Sequence, residues 1–396
     1  MRIVLISAVA SATLMAGGYA IPESSINATA LSAAYIANAH GADAAYYNPA
    51  AMVYNVDSEL LEVDATYIGL SAINYTSTSG TTNIDSKKEN FLVPSFHYTS
   101  KKLGNNGARV GFSIVVPAGL SKRWSDTPAV YSAEEFTLQT VEFNPSMALP
   151  LSSTVSLGVG FRVISSSGVV KASRTGVYSQ DMTGDSVDYG YNLALMYKPT
   201  SALNLAATYR SNVDLSVEGD ADLIYLPASF NKNVPVSVSV PVPAVLNFAA
   251  SYTFDGGTTV EAVYQKTYWS AYKQLNFDYT NPTAEAVFGT SKPKNWEDTN
   301  TYRLGLTQKY EQWTAMAGVA YDETPVPEAT LGYELPDSDA WIISLGGRYQ
   351  IDKSWNIGLA GLVDMKQSRD VQNSSIDGEF SNARAYLVTA GIEYRF

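Results

Sequence analysis

The chain of 396 residues contains no cysteine and only two histidines, His40 and His97. The lack of cysteine excludes disulfides, thiolate metal sites and cysteine nucleophiles, and two histidines argue against a histidine-rich metal site. Charged residues make up only 16% of the sequence, and the formal net charge of −12 argues against nucleic-acid binding, which needs basic patches. No phosphate-binding Gly-x-x-x-x-Gly-Lys-Ser/Thr loop occurs, so the sequence contains no sign of an energy source.

The chain also lacks a long hydrophobic run, since no segment reaches the roughly 20 apolar residues that a membrane-spanning helix needs. The first residues resemble an export signal, in which Met1-Arg2 supplies a positive start before a short apolar run and small residues. We expect a signal peptide of residues 1–18, with cleavage after Gly18 or after Ala20. The alternative, a membrane anchor, would need a longer run. A mature chain that enters a membrane must therefore do so with strands.

Most of the chain after residue 55 alternates between apolar or aromatic residues and small, polar or charged ones. Strict alternation predicts β-strands with one apolar and one polar face. The clearest examples are residues 155–163, 246–254, 341–349 and 386–396. Turn signals between such segments predict fourteen strands, near residues 59–73, 89–100, 107–119, 136–150, 153–168, 185–198, 202–216, 243–254, 257–270, 298–310, 312–323, 338–350, 353–367 and 382–396.

The predicted connections alternate between short turns and long loops. The long ones lie near residues 74–88, 120–135, 169–184, 217–242, 271–297, 324–337 and 368–381. Short periplasmic turns, long extracellular loops and an even strand count are typical of outer-membrane barrels. Tyrosine and tryptophan near the predicted strand ends agree with aromatic girdles at the headgroup level. The sequence thus predicts an all-β fold, a 14-stranded antiparallel transmembrane β-barrel over residues 56–396.

Residues 19–55 do not alternate and are rich in small helix formers, above all between Ala28 and His40. A barrel of more than about eight strands leaves a lumen that is filled with water unless something plugs it. Apolar residues such as Leu31 and Met52 favour a plug over a disordered periplasmic tail, because a solvated tail would be more polar. We therefore expect residues 19–55 to form a small helical hatch inside the barrel.

Several motifs follow one another in an order that resembles the FadL/TodX family of outer-membrane transporters for hydrophobic compounds. Residues 46–52, Tyr-Tyr-Asn-Pro-Ala-Ala-Met, resemble the Asn-Pro-Ala hatch motif of that family. Residues 260–270 resemble its strand that ends in Trp-Ser, and residues 298–341 contain a further series of similar motifs. The resemblance extends over nearly the whole chain.

The resemblance implies a fourteen-stranded barrel with an N-terminal hatch, in which the hatch motif is Asn48, Pro49 and Ala50. It implies that ligands are captured between extracellular loops, pass to an interior site and leave sideways through a gap in the wall. In the family this gap lies at a kink in the third strand, and here Pro117 and Gly119 stand near the end of that strand. Proline cannot donate to a strand ladder and glycine weakens it. The third strand is therefore either broken at these residues or simply ends there.

A fatty acid would need an apolar path with a few cationic groups for its carboxylate. The candidates at inward-facing positions are Lys366, Arg348, Arg303 and Arg162. We prefer Lys366 and Arg348, which are expected to neighbour the loop after Leu335. The alternative interpretation, favoured for any single arginine, is that these cations pair with carboxylates of the protein inside the barrel.

Apolar residues are concentrated in two of the predicted extracellular loops. They are Leu223, Tyr225, Leu226 and Phe230 in one loop and Val287 and Phe288 in the other. So much apolar surface at a loop tip should be covered or used. It indicates an entrance groove for the ligand, two loops packed on each other, or both. Residues 283–289 are expected to form a short amphipathic helix.

The expected function is passive uptake of long-chain fatty acids, with aromatic or alkane hydrocarbons as alternative ligands. A general diffusion pore or an adhesin is a weaker alternative. An outer-membrane lipase would have to use His97 as its base, but no Gly-x-Ser-x-Gly nucleophile motif occurs. We expect no enzymatic activity, cofactor or metal. The expected partners are a hydrophobic ligand, outer-membrane lipid with lipopolysaccharide, and the barrel assembly machinery, and we expect a monomer that binds no nucleic acid.

Overall fold

The computed structural model describes residues 17–396, so all of the expected signal peptide except its last residues lies outside the described residues. Alternating residues form fourteen antiparallel barrel strands, three of which consist of two segments. The strands are β1 (Leu60–Leu70), β2 (Glu89–Thr99), β3 (Arg109–Val115 and Gly119–Arg123), β4 (Glu135–Pro150), β5 (Val155–Arg174), β6 (Tyr178–Tyr197), β7 (Leu203–Arg210 and Val213–Tyr225), β8 (Phe230–Val242 and Val245–Thr253), β9 (Thr258–Thr267), β10 (Thr299–Lys309), β11 (Trp313–Asp322), β12 (Ala340–Gln350), β13 (Trp355–Lys366) and β14 (Arg384–Arg395).

The sheet closes on itself, since β14 pairs with β1 from Leu60 opposite Arg395 to Leu70 opposite Ala385. Closure lets backbone donors and acceptors pair between strands, which is what the hydrocarbon region of a bilayer requires. The predicted architecture of fourteen strands is therefore confirmed. Among residues 17–396, no helix is long and apolar enough to cross a membrane.

The membrane-facing surface follows the predicted alternation. Outward-pointing Leu345 and Leu359 are exposed, whereas the inward-pointing Ser344 between apolar neighbours is buried. Aromatic rings pair near the periplasmic turns, with Trp313 and Tyr349 centred 4.5 Å apart. Such rings suit the boundary between lipid headgroups and hydrocarbon.

Two of the predicted long loops, 169–184 and 217–242, are wrong, because both are largely strand. Strands β5 and β6 continue to a tight turn at 175–177, and β7 and β8 continue to another at 226–229. In these extensions Leu223 is almost fully buried inside the barrel, while polar residues such as Glu218 point outward. The outer face of the extensions is therefore suited to water, and the alternation there is apolar inside and polar outside, the reverse of a lipid-facing wall.

Residues 26–54, the hatch segment, lie inside the barrel and contact its inner face on opposite sides. The segment contains α1 (Ile26–Ala30), α2 (Ala44–Tyr47) and a 3-10 helix (Pro49–Tyr54). Side-chain hydrogen bonds join it to the wall, for example one between the hydroxyls of Thr29 and Thr389 and one that Ser156 donates to the carbonyl of Ala50, both at 2.8 Å. Its many alanines keep the segment thin enough to lie this close to the wall.

Short elements cover the extracellular end of the barrel. Their bounds are Asn74–Ser77, Asn83–Asp85, Arg369–Gln372 and Asp377–Ser381 in one small sheet, Gln274–Leu275 with Lys292–Pro293 in another, Phe277–Tyr279 beside β8, helices α3 (Val130–Ala133) and α4 (Pro282–Phe288), and 3-10 turns Leu226–Ala228, Trp269–Ala271 and Glu328–Thr330. The expected helix at 283–289 is thus confirmed as α4, which Asn281 caps by accepting from the N–H groups of Thr283 and Ala284.

Candidate functional site

An apolar cavity, the extracellular cavity, lies between the outer part of the barrel wall and the loops above it. It contains about 770 Å³ of empty space, including its mouth. Its lining includes Phe136, Leu138, Val170, Val217, Val236 and Val238 from the wall, Tyr272, Leu275, Phe277, Trp296 and Leu335 from the loops, and Tyr19. An apolar ligand would leave water on entering this cavity.

One ion pair, between Lys294 and Glu334, interrupts the apolar lining. Both residues lie on loops, and the side chain of Lys294 is only 7% exposed. Burial raises the pKa of the Glu334 carboxyl, but the adjacent Lys294 ammonium outweighs it and holds this pKa below its usual value. Lys294 was not among the cations predicted from the sequence, because it lies on a loop, where alternation does not indicate which residues face inward.

An aromatic cluster separates the extracellular cavity from the interior. The ring of Tyr19 is centred 4.8 Å from Trp269, 5.6 Å from Trp296 and 6.3 Å from Tyr272. The Tyr19 hydroxyl donates to the carbonyl of Pro241 on the opposite wall. These four rings, the aromatic partition, are contributed by the N-terminal segment and by the loop between β9 and β10.

A second cavity, the inner cavity, lies between the aromatic partition and the hatch segment. It contains about 1000 Å³ of empty space, including its mouth, and is lined by Trp269 on one side and by Ile36, Tyr46 and Pro49 of the hatch segment on the other. Arg162 and Arg210 also line it. The hatch motif thus forms part of the boundary of an interior cavity.

Each residue of the hatch motif has a definite contact. The Asn48 amide donates to the carbonyl of Ile36 at 2.9 Å, and Pro49 begins the 3-10 helix. Gly158 of β5 lies so close that a Cβ there would be 2.4 Å from the backbone nitrogen of Ala50. The motif therefore joins two stretches of the hatch segment by a hydrogen bond and places one of them in close contact with the barrel wall.

The predicted carboxylate-binding cations Arg162 and Arg303 both contact acids of the protein. Arg162 forms a salt bridge of 3.0 Å with Glu142, which also binds Arg210. Arg303 lies 4.0 Å from Glu23 and donates to a hatch carbonyl. These contacts agree with the alternative interpretation that the cations balance carboxylates inside the barrel.

The two preferred cations lie at opposite ends of the barrel. Lys366 forms a 2.6 Å salt bridge with Asp337, beside the loop after Leu335 as expected. Arg348 instead binds Glu62 at 2.7 Å close to the periplasmic turn, so its expected position near that loop is wrong. β12 begins at Ala340, beside the loop, and at about 3.3 Å per residue it places Arg348 roughly 26 Å farther along the strand in the direction of the periplasm.

The third strand is interrupted at the predicted place and then resumes. Between its two segments the chain pairs with the N-terminal segment, since Ile21 N–H donates to the carbonyl of Pro117 and Gly119 N–H donates to the carbonyl of Tyr19, both at 2.9 Å. Ala118 forms an isolated bridge with the same segment. Pro117 and Gly119 therefore mark a break within β3 and not its end.

The break leaves a gap in the wall between β2 and β3, which we name the window. Within the described chain, the ladder between these strands covers only Phe96 to Thr99 of β2. The buried side chains of Phe91, Val93, Val116 and Ile21 belong to one apolar cluster on the inner side of this gap. Apolar side chains therefore fill the inner side of the window, next to the part of β2 that does not pair with β3.

The six predicted entrance residues divide into inner and outer positions. Leu223 and Phe230 are buried on the inner face of the extended β7–β8 hairpin, whereas Leu226 at its tip is 55% exposed. Tyr225 and Phe288 have ring centres 6.3 Å apart, which joins the hairpin to α4. Val287 and Phe288 of α4 are half-buried. The two regions thus pack on each other and leave an apolar rim.

His97 is a buried structural residue in this arrangement. One ring nitrogen lies 3.0 Å from the Ser113 hydroxyl and the other 3.0 Å from the carbonyl of Ser24. His97 and Ser113 are both fully buried. The pair joins β2, β3 and the N-terminal segment, and a substrate has no access to it.

Comparison with known proteins agrees with this architecture. The model of the family described as "Outer membrane protein transport protein (OMPP1/FadL/TodX)" matches residues 7–396. The chain is 24% identical over 397 residues to the long-chain fatty acid transport protein of Escherichia coli O157:H7, covering 88% of this chain and 87% of that one.

Solved structures show the same fold. A FadL homologue of Pseudomonas aeruginosa has a TM-score of 0.83 at 20% identity, with 96% of this chain and all (100%) of that chain covered. The toluene transporter TodX of Pseudomonas putida has a TM-score of 0.71 at 16% identity, covering 94% of this chain and 98% of that chain. The chain therefore belongs to the FadL/TodX family of outer-membrane transport proteins and is itself a protein of the outer membrane.

Proposed function

We propose that this protein is a passive channel for hydrophobic small molecules, and that its ligands are long-chain fatty acids. The observation that carries this proposal is the extracellular cavity, which combines an apolar lining with the ammonium group of Lys294. An alkyl chain gains free energy by leaving water, and a carboxylate is stabilised by a buried cation. A fatty acid contains both groups.

Exchange of one carboxylate for another would admit the ligand without leaving an unpaired charge. The side chain of Glu334 is 17% exposed, compared with 7% for Lys294, and can turn toward water while Lys294 stays in the cavity. A ligand carboxylate then replaces Glu334 beside the ammonium group. An unpaired buried charge would be costly, so the exchange favours anionic ligands at this position.

The proposed path continues through the aromatic partition into the inner cavity and leaves through the window. Tyr19 lines the extracellular cavity and Trp269 lines the inner cavity, and their rings, 4.8 Å apart, pack on each other in the partition. At the window, Val116 and Phe91 provide an apolar surface between the interior and the membrane. Lateral exit would keep the alkyl chain in apolar surroundings along this last step.

The relatives support a hydrophobic ligand and leave two chemical classes to distinguish. A relative of similar length is named as a long-chain fatty acid transport protein, and two solved relatives are named as toluene transporters. The rings of Tyr19, Tyr272 and Trp296 at the cavity would offer edge-to-face contacts to an aromatic hydrocarbon. Aromatic hydrocarbons are therefore the second candidate.

Uptake of labelled oleate and toluene by cells that lack other such channels tests the proposal. We expect wild-type protein to accelerate oleate uptake and Lys294→Ala to reduce it about tenfold, because a buried charge-assisted contact is lost. Toluene uptake should change little, because toluene has no carboxylate.

Lys273→Ala is the matched control, since Lys273 is an exposed lysine of the same loop region. Lys366→Ala and Arg348→Ala test the two cations preferred from the sequence. If neither compound enters faster than in cells with an empty vector, the transport function is refuted. Equal losses of oleate and toluene uptake in Lys294→Ala would refute the role of Lys294 in carboxylate binding.

A further inference from the structure

The outer surface of the barrel has a basic patch at the extracellular ends of three adjacent strands. The patch consists of Arg384 at the start of β14, Ser71 directly after β1 and Lys88 directly before β2. Arg384 and Lys88 are exposed, and each continues the alternation of the lipid-facing residues in its strand, such as Tyr386 in β14 and Leu92 in β2. Both cations therefore lie on the side of the wall that faces the membrane.

Hydrogen bonds and strand register place the two cations on opposite sides of Ser71. The Ser71 N–H donates to the carbonyl of Arg384 at 3.0 Å, and the Arg384 N–H donates to the Ser71 hydroxyl at 2.9 Å. On the other side, β1 pairs with β2 as far as Leu70 opposite Glu89, so Ser71 and Lys88 are the next pair in this register. The small sheet beyond keeps the same register. Because neighbouring strands are about 4.8 Å apart, the Cα atoms of the two cations are separated by roughly 10 Å, and both side chains can reach one group between them.

Neither cation is neutralised by the protein. Within residues 17–396, Lys88 and Arg384 form no salt bridge with a carboxylate. Glu89 follows Lys88 but points inward, where it binds Arg123. Cations this close repel each other, and an anion between them would relieve the repulsion. The patch is therefore suited to an anionic group from outside the chain.

The patch lies just beyond the aromatic girdle on the extracellular side. The ring of Tyr67 lies over Gly69, since a Cβ at Gly69 would be 3.2 Å from the Tyr67 hydroxyl oxygen. This hydroxyl donates to the side chain of Asn90 at 2.6 Å. Ser71 is two residues beyond Gly69, which corresponds to roughly 7 Å along the strand. Because tyrosine hydroxyls mark the boundary between hydrocarbon and headgroups, the cations lie at the level of the lipid headgroups.

Exposed apolar side chains lie directly below the patch on the same three strands. Tyr67 of β1 is opposite Val388 of β14 and opposite Leu92 of β2. All three side chains are exposed, and Leu92 is 58% exposed. A lipid whose headgroup binds at the patch would therefore place its acyl chains on an available apolar surface.

We propose that the basic patch binds the phosphate groups of lipid A, the phosphorylated glycolipid of the outer leaflet. The Arg384 guanidinium can donate two parallel hydrogen bonds to one phosphate, and the Lys88 ammonium adds a second positive charge. The acyl chains of the same lipid lie on Tyr67, Leu92 and Val388. This site does not depend on which ligand the channel transports. Since β2 forms one side of the window, the bound lipid lies beside the window on the outer surface.

Native mass spectrometry of the mature protein in detergent tests the proposal. The lipids added are lipid A, dephosphorylated lipid A and phosphatidylglycerol, each at several concentrations. We expect lipid A to bind most tightly and the Lys88→Gln/Arg384→Gln variant to bind it about twentyfold more weakly, because each basic side chain near an anionic lipid surface contributes roughly a factor of five. Each single variant should lose about fivefold. Dephosphorylated lipid A should bind weakly to wild type and variants alike.

Lys266→Gln is the matched control, because Lys266 is a lysine of β9 whose register partners Leu246 and Asn300 are uncharged. This variant should bind lipid A as wild type does, and the altered gel mobility of unheated, folded barrels checks that each variant is folded. Unchanged lipid A binding in the double and single variants, an equal loss in Lys266→Gln, or equal binding of dephosphorylated lipid A would overturn the site. Equal affinities for lipid A and phosphatidylglycerol would refute lipid A as its ligand.

Discussion

Replacement of Gly158 by alanine should loosen the hatch segment at its Asn-Pro-Ala motif. An added Cβ would lie 2.4 Å from the backbone nitrogen of Ala50 and 2.8 Å from the carbonyl carbon of Pro49. Both are backbone atoms and cannot rotate away. Asn48, which donates to the carbonyl of Ile36, anchors the same turn. Relief of the contact therefore requires the 3-10 helix to shift as a unit.

The size of the effect follows from these distances. The hatch backbone must retreat by roughly 1 Å to restore an ordinary separation of about 3.5 Å. Overpacking of this kind costs about 1–3 kcal/mol. If the cost appears as easier local opening, amide exchange in the hatch should accelerate about 5- to 150-fold.

Hydrogen-exchange mass spectrometry of residues 44–54 in nanodiscs measures this acceleration. Gly361→Ala is the control, because the nearest atom to a Cβ at Gly361 is 3.9 Å away. A displaced hatch should also increase ion conductance through the barrel in planar bilayers. Wild-type exchange and conductance in Gly158→Ala would refute the view that close backbone contact at Gly158 holds the hatch in place.

Three further predictions concern the window, the N-terminus and the hatch. Val116→Asp puts a charge into the apolar window and should slow oleate uptake while equilibrium binding of oleate persists. Val116→Leu should leave the uptake rate unchanged. An unchanged uptake rate in Val116→Asp would exclude the window as the exit. Tyr19 is only 2% exposed and packs on Trp269, so we expect the mature protein to retain it. Intact-mass measurement checks this, and a mass that corresponds to cleavage after Ala20 would contradict it. Burial, and secondly the charge of Lys309, lower the pKa of His40 to about 4. Because a released hatch would take up a proton below about 6.5 and the folded hatch would not, hatch stability should fall as the pH decreases from about 6.5 to 4. Hydrogen exchange of the hatch at several pH values should show this loss of stability, and His40→Asn should abolish the pH dependence. If the variant keeps the same pH dependence, other groups than His40 cause it.

Strand number was accessible from the sequence because alternation identifies a strand from its own residues. Pro117 and Gly119 indicated the place where β3 changes, but the sequence left a break and a strand end as alternatives, and only the structure shows that the strand resumes at Gly119. The ends of β5 to β8 were not accessible in this way, because the polar outer residues beyond the membrane resemble those of a loop. The exposed Glu218 and the buried Leu223 show that the alternation continues there with its faces reversed.

The candidate site was accessible only in part. The sequence pointed to the hatch motif and to apolar residues such as Leu223 and Phe288, but those six entrance residues do not line the extracellular cavity, whose lining includes Tyr19 and Lys294. Tyr19 lies far from Lys294 in sequence and comes near it only when the N-terminal segment runs up the interior. The sequence around either residue does not indicate that the two residues lie close together in the fold.

The sequence by itself determined that this chain is a barrel with an apolar outer face and an N-terminal segment unlike its strands, because side-chain periodicity and composition act over a few residues. Only the tertiary structure decided which charges remain free and which are neutralised. Arg162 is neutralised by Glu142, whereas Lys309 retains no such partner among the described residues. Charge pairing is a property of distances in space, and barrel closure brings together residues that the chain keeps far apart.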